Sequence, residues 1–250
     1  MLQRWLTGQG VSRQLANKYV QSGWLHRVSS GVYVRPGKLV NWTDAVAAVS
    51  LQAKLPVRLA GLTSLTYQGR AHYLKVNEDQ VWLSTTSKAR LPLWLKRFNE
   101  LESEDLNPKR PLINFQQYTS LDSVSGDDFT QVDVNSVSLP ASRPELAVFE
   151  VLELVPEQIS FEHAAQLFEG LVNLSPRKVQ SILMRSHSVK VNRLYLFLGH
   201  YYGHDWINRL DETHINLGSG KRQIVKGGKL DQTYQITIPQ DFETLKGKNG

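Results

Sequence analysis

Cysteine is absent from all 250 residues. That excludes a disulfide framework, thiol catalysis and every thiolate metal site, and it fits a reducing compartment. Long apolar runs are missing too. The closest, LYLFLG at 194–199, falls far short of the roughly 18–20 residues of a spanning helix. The opening MLQRWLTGQGVSRQ holds no apolar core of signal-peptide length, because Arg4, Gly8 and Gly10 interrupt it. The expectation is a soluble, cytoplasmic protein with no membrane partner. The last absence is of one sign of charge. No Asp or Glu precedes Asp44, whereas Arg4, Arg13, Lys18, Arg27, Arg35 and Lys38 do. Six of the 29 basic residues lie there, so the other 207 positions balance 23 basic against 23 acidic residues. The whole formal charge of +6 therefore sits in the first sixth of the chain. A local field of that kind suits a polyanion, nucleic acid above all, or an anionic membrane surface.

What is present describes an ordinary globular chain, 41% hydrophobic and 21% charged, long enough for one large or two modest domains. Spacing predicts helices at 2–6 and 13–22, then two short strands at 24–28 and 32–35 around Ser29, Ser30 and Gly31. Further helices fall at 44–54 and 59–67, and a hairpin is expected from 73–76 to 81–84. Residues 99–111, charged and with two prolines, read as a linker or an exposed crossing between domains. Strands are expected at 112–118 and 129–137, helices at 144–154, 161–173, 176–185 and 189–202, and closing strands at 215–217, 222–225 and 234–238. The fold class is α+β, with an N-terminal winged helix-turn-helix domain over residues 1–93 and a mixed α/β C-terminal domain over 94–250.

The segment 10–37 carries the most chemistry. Ser12 is placed as an N-cap and Gly23 as the residue that ends the helix. Leu15, Ala16, Tyr19 and Val20 line one side, while Gln14, Asn17, Lys18 and Gln21 recur at i, i+3, i+4 and i+7 on the other. A solvated face usually mixes acids with bases, because opposite charges stabilise each other across a turn. This face has amides and cations and no carboxylate. Gln and Asn can pair bidentately with adenine, and Arg or Lys with guanine. Trp24, Leu25 and Val28 are expected to anchor the following hairpin on the core. Its rim keeps His26, Arg27, Ser29, Ser30 and Arg35 for the DNA backbone or the minor groove. A groove-reading helix followed by a small basic hairpin is the layout of a winged helix-turn-helix.

Other constellations argue against catalysis. Gly218-Ser219-Gly220-Lys221-Arg222 invites a phosphate-loop reading, but Ile215 stands where the first glycine belongs and Arg222 where the hydroxyl belongs. It reads as a basic turn between strands, with Lys221 and Arg222 as a contact for an acidic partner surface. His200 and His204 are one helical turn apart, but the residue after His200 is Tyr201 and not the glutamate of a zinc-protease motif. No metal or cofactor is expected. Glu100, Glu102, Glu104 and Asp105 form a solvated run and not a poised acid–base pair. Leu146, Phe149, Leu152, Phe161, Leu167, Leu171, Leu183, Leu194 and Phe197 read as helix core. Arg143, Arg177, Lys178, Arg185, Lys190, Arg193 and Arg209 between them read as a solvated basic face, or as a surface for a protein or RNA partner.

The segment WLTGQGVSRQLANKYVQSGWLHRVSSGVYVRPG resembles the N-terminal domain of the AbiEi family of bacterial antitoxins. There a Gly-[Val/Ile]-Ser-x-x-Leu…Tyr-x-x-Ser-Gly-Trp-Leu…Gly-x-Tyr-x-Arg-Pro-Gly pattern marks a winged helix-turn-helix. The resemblance continues through LAGLTSLTYQG at 59–69, VWLSTT, LPASRPELAVFEVLELVP at 139–156, LGSGKR at 217–222 and the closing Tyr-x-Ile-x-Ile-Pro. It implies a non-enzymatic antitoxin of a type IV toxin–antitoxin system used in phage defence. Its N-terminal domain would bind double-stranded repeats in its own operon promoter and repress transcription. Its C-terminal domain would counteract a toxin of the nucleotidyltransferase class. Taken with the acid-free basic face, this makes Gln14, Asn17, Lys18 and Gln21 the expected base readers and Ser12, Arg13, His26, Arg27 and Arg35 the expected phosphate contacts. Relatives carry a further helix ahead of the segment matching residues 2–6, so another element, such as 44–54, is expected to supply that packing surface unless the start is truncated. Two alternatives stand beside this reading. One is an antitoxin enzyme that modifies its toxin covalently with a nucleotide, and the other a protein-interaction module that binds no DNA.

Overall fold

The computed structural model describes residues 1–70, 79–85, 89–117 and 120–242. Its first helix, α1 (Gln3–Gly8), ends in a turn through Gly10, whose φ of +84° suits glycine, and the chain then enters α2 (Arg13–Gln21). The Ser12 hydroxyl accepts the Leu15 N–H at 3.1 Å, which satisfies one donor that the helix itself leaves open. Beyond Gly23, the N–H groups of Trp24 and Leu25 both donate to the Tyr19 carbonyl, which turns the chain into the hairpin. Its strands, β1 (His26–Ser29) and β2 (Val32–Val34), pair antiparallel with a register shift between Arg27 and Ser29. Leu6, Ala16, Leu25 and Tyr33 form a small core under these four elements. The arrangement is a helix-turn-helix followed by one β-wing. Trp24 is a correction: its side chain is 74% exposed, so Leu25 and the half-buried Val28 anchor the wing without it.

The helical segment expected at 44–54 starts earlier, as α3 (Trp42–Ala47), with Asn41 and Asp44 in a reciprocal capping box. It continues as a π-helical turn, Ala48–Gln52. Gln52 Oε1 accepts the Leu2 N–H at 2.8 Å, so this element supplies packing for the N-terminal segment.

A five-stranded mixed sheet follows. After β3 (Arg58–Leu59) come α4 (Gly61–Tyr67), β4 (Gln80–Thr85), α5 (Leu93–Lys96), β5 (Leu112–Gln117), β6 (Phe129–Val134) and β7 (Val137–Ser142). The strand order is β5-β4-β3-β7-β6, with β4 parallel to β5 from Gln80–Leu112 to Thr85–Gln117 and antiparallel to β3. Five of the six β4 residues are buried, as expected of a strand covered on both faces. The expected hairpin partner at 73–76 lies outside the described residues. Where one strand was expected over 129–137, two form, because Asn135 and Ser136 both take positive φ and turn the chain back.

Residues 99–111 are no linker. Asp105 and Leu106 are buried, and Val40 bonds the backbone at Asp105 and Asn107 like an added bridge. The Arg110 guanidinium gathers the carbonyls of Asn107 and Leu101 at 2.8 Å each. Local bonds of this kind let a charged segment pack instead of crossing solvent.

The remaining helices are α6 (Pro144–Glu153), α7 (Phe161–Glu169), α8 (Pro176–Met184) and α9 (Val189–Tyr202). Proline opens α6 and α8, where its missing N–H costs nothing. Serine caps α7 and α9 through His163 N–H and Val191 N–H. All nine apolar residues expected as helix core are buried. Losing the Ser160 cap in Ser160→Ala should cost about 1 kcal/mol, read as a lower thermal midpoint with unchanged helix content below the transition. The strands expected at 215–217 and 222–225 do not form, and the pairing expected over 234–238 shrinks to β9 (Thr237–Ile238) against β8 (Lys229–Leu230).

The described residues fall into two compact units that interleave along the chain: 1–59 with 77–118 and 131–141, and 60–76 with 119–130 and 142–250. Pairing of β3 with β4, antiparallel, and with β7, parallel, is what draws the two later segments into the first unit. The fold is α+β. Among the described residues, no helix is long and apolar enough to cross a membrane.

Candidate nucleic-acid interface

On α2 the predicted polar stripe is real. Gln14, Lys18 and Gln21 are exposed, with Ser12 and Arg13 exposed at the helix start. Among the described residues, the side chains of Arg13, Gln14, Lys18 and Gln21 have no protein partner. No acid occupies the first turn, so the positive end of the helix dipole is uncompensated by the protein. Such a helix start attracts anions.

Asn17 differs from its neighbours. It is half-buried, and its Oδ1 accepts from the Arg27 guanidinium, which also lies 5.7 Å from the centre of the Tyr33 ring. The pair ties the wing to the reading helix and fixes the direction of a long, otherwise mobile cation. One lone pair of Oδ1 is thus taken by the wing, unlike the free amides of Gln14 and Gln21. His26 is also engaged: its Nδ1 lies 2.7 Å from Oδ2 of Asp105, a carboxylate only 7% exposed. Asp105 thus leaves the solvated acidic run predicted for it and orients the ring, so that Nε2 remains for an outside partner. Arg35 is exposed and unpaired among the described residues. Asp44, the first acid in the sequence, is occupied by Lys38 at 3.3 Å and by the Asn41 N–H. The surface around α2 and the wing therefore keeps its single sign of charge.

The second candidate surface lies in the other unit. Lys221 and Arg222 are exposed on a loop and form no ion pair among the described residues. The basic turn predicted between strands is held instead by Arg193, a residue predicted on the surface and found 4% exposed. Its guanidinium donates to the carbonyls of Leu217 and Gly220 at 2.6 Å each and of Gln235 at 3.3 Å. Burial, and then the charge of Arg222, lower the pKa of Arg193 from its ordinary value. Arg185 is likewise paired, with Asp128 at 2.9 Å, and Lys190 donates to the carbonyls of Glu153 and Val155. Sequence reasoning missed these roles, although an arginine set within the apolar run of α9 was a usable signal.

The histidines at 200 and 204 separate in role. His204 is buried, bonds the Phe168 carbonyl at 2.8 Å and stacks beside Trp206, whereas His200 meets Glu212 at 2.7 Å. Among the described residues, no group of three or more potential ligands gathers for a metal.

Comparison with known proteins adds the following. Residues 1–76 match the family described as transcriptional regulator, AbiEi antitoxin N-terminal domain, and residues 78–239 match transcriptional regulator, AbiEi antitoxin, type IV TA system. Among solved structures, the RV2827C protein from Mycobacterium tuberculosis is similar at 13% identity and a TM-score of 0.61, over 97% of this chain and 86% of that one. That likeness is one of fold. No curated protein matches.

Proposed function

Because the chain belongs to the AbiEi antitoxin family, transcriptional regulators of type IV toxin–antitoxin systems, we propose that it represses its own operon by laying α2 in the major groove of promoter repeats. One observation carries this reading: the exposed face of α2 holds unpartnered amides and cations and no carboxylate. Gln14 and Gln21 read base edges and Lys18 a guanine or a phosphate. Ser12 and Arg13 hold a phosphate at the helix start, and His26, Arg27 and Arg35 hold those flanking the wing. Asn17 serves the same interface by positioning Arg27. Because that guanidinium is already directed before DNA arrives, less side-chain freedom is lost on binding.

The antitoxin activity belongs in this reading to residues 94–250, and DNA binding to residues 1–93, a division of tasks and not of compact units. The C-terminal part counteracts a nucleotidyltransferase-class toxin in the cytoplasm by contact, with Lys221 and Arg222 facing an acidic surface, and with no catalytic step of its own. A gel shift on the promoter repeats tests the DNA half. Arg27→Gln should weaken binding to every duplex and lower the slope of log affinity against log salt by about one. A parent protein that binds promoter and scrambled duplex equally well at all salt concentrations would sink the reading.

A further inference from the structure

A cavity of about 410 Å³ opens between the wing and the segment carrying α3, within the range of about 300–1,000 Å³ that suits small-molecule sites. Its walls are apolar: Val28 and Val34 come from the wing, Ala48 from the π-helical turn, and Trp94 and Phe98 from the segment after β4. Charged side chains are few, and Arg35, Lys38 and Asp44 are the ones that contribute to the lining. Lys38 and Asp44 neutralise each other, and the second Asp44 oxygen is taken by the Asn41 N–H. The Met1 ammonium, also in the lining, donates to the Tyr33 carbonyl at 2.6 Å and feels the charge of Asp44, so Arg35 is left as the cation with no partner among the described residues. Leu51, 67% exposed, stands in the lining with its side chain largely open to water.

An apolar chamber with one free guanidinium fits one chemistry. We infer that the cavity binds a small amphipathic carboxylate, its apolar body against Val28, Val34 and Phe98 and its carboxylate on Arg35. Apolar surface drives entry, and the charge-assisted bond to a guanidinium selects an anion over a cation or a neutral molecule. Arg35 is also a phosphate contact in the DNA reading proposed above, and the coupling, though not the site, rests on that reading. A bound carboxylate takes Arg35 away from phosphate, so ligand and DNA oppose each other. Linkage makes the effect reciprocal: each weakens the other's binding by the same factor.

The test has two arms, the first free of DNA. The fluorescent sulfonate 1-anilinonaphthalene-8-sulfonate is titrated onto the full chain, and decanoate and decylamine are used as competitors. Saturable binding of one probe per chain, displaced by decanoate and not by decylamine, is expected. Ala48→Phe, which fills the chamber, should abolish it. Leu51→Asp, on an exposed side chain and so harmless to folding, should weaken decanoate at least tenfold by placing a negative charge at the opening. Equal displacement by decylamine overturns the anion assignment. Unchanged probe binding in Leu51→Asp and in folded Ala48→Phe overturns the site. In the second arm, saturating decanoate should weaken promoter binding about 5- to 150-fold and lower its salt slope by about one. Decanoate bound without that change overturns the coupling, whereas failure of the free protein to bind its promoter overturns the DNA reading and leaves the first arm intact.

Discussion

Gln14→Ala and Gln21→Ala combined should leave a protein that still binds DNA but scarcely distinguishes its promoter repeat from unrelated sequence. Each bidentate contact between an amide and a base is worth about 1–3 kcal/mol of discrimination. The two residues stand two helical turns apart and share no partner, so their effects should add. The expected loss of specificity lies between about thirty-fold and about 10⁴-fold. Folding is not at stake, since both side chains are exposed and alanine is a better helix former than glutamine. Non-specific affinity should persist, because Arg13, Lys18, Arg27 and Arg35 remain for phosphates. The measurement is competition between promoter and scrambled duplex at one fixed salt concentration. A parallel loss on both duplexes would place the amides on the backbone, and no loss on either would remove α2 from the groove. Asn17→Ala is the informative contrast. Its Oδ1 holds Arg27, so it should behave as a weakened Arg27 variant, losing affinity on all sequences and keeping its preference for the promoter.

That contrast also marks how much of the interface the sequence makes legible. Spacing alone locates α2, its Ser12 cap and its carboxylate-free face, because helix periodicity and capping are local properties. Which polar groups are already occupied is set by residues distant in sequence. Asp105 reaches His26 across 79 positions, inside a stretch that composition marks as solvated. Charge counts cannot reveal that one carboxylate of an acidic run is buried by a partner. Hydrophobicity misleads at Trp24 for the converse reason: the Gly23 turn lets the backbone leave the helix while the indole stays in water. The split of 129–142 into two strands turns on Asn135 and Ser136, a pair that signals a tight turn less strongly than Asn-Gly. At the C-terminus, short apolar stretches at 215–217 and 222–225 on either side of a glycine-rich turn suggest strands. A strand needs a neighbour for its carbonyls, however, and here the Arg193 guanidinium takes those of Leu217, Gly220 and Gln235. One buried side chain supplements a single backbone bridge, Arg222 to Ile236, where a full ladder was expected.

Removing that side chain, as in Arg193→Ala, should therefore separate the two activities proposed above. Hydrogen bonds to a charged group contribute about 1.5–3 kcal/mol each. Two short bonds and one long one set the expected loss at about 3–5 kcal/mol, in a loop that also depends on Gly218. There, at a φ of +54°, a Cβ would come within 2.8 Å of Val189. Leu217 is half-buried, so its carbonyl loses a donor that water replaces only if the loop opens, whereas the Gln235 carbonyl keeps the Arg222 N–H at 2.8 Å. Local opening is thus cheaper than global unfolding, and faster amide exchange should be confined to residues near 217–222 and 234–238. Lys221 and Arg222 would then hang on a mobile segment, and an acidic partner would have to order it on binding. Neutralisation of the toxin on co-expression should fail, while promoter binding, proposed above for α2 and the wing, stays at the parent level. Arg193→Lys should not rescue it, because a single ammonium cannot span three carbonyls as the planar fork does. Full neutralisation by an Arg193→Ala protein whose exchange shows the loop open would exclude Lys221 and Arg222 as the antitoxin contact. Loss of neutralisation and promoter binding together would mean instead that Arg193 supports the whole fold.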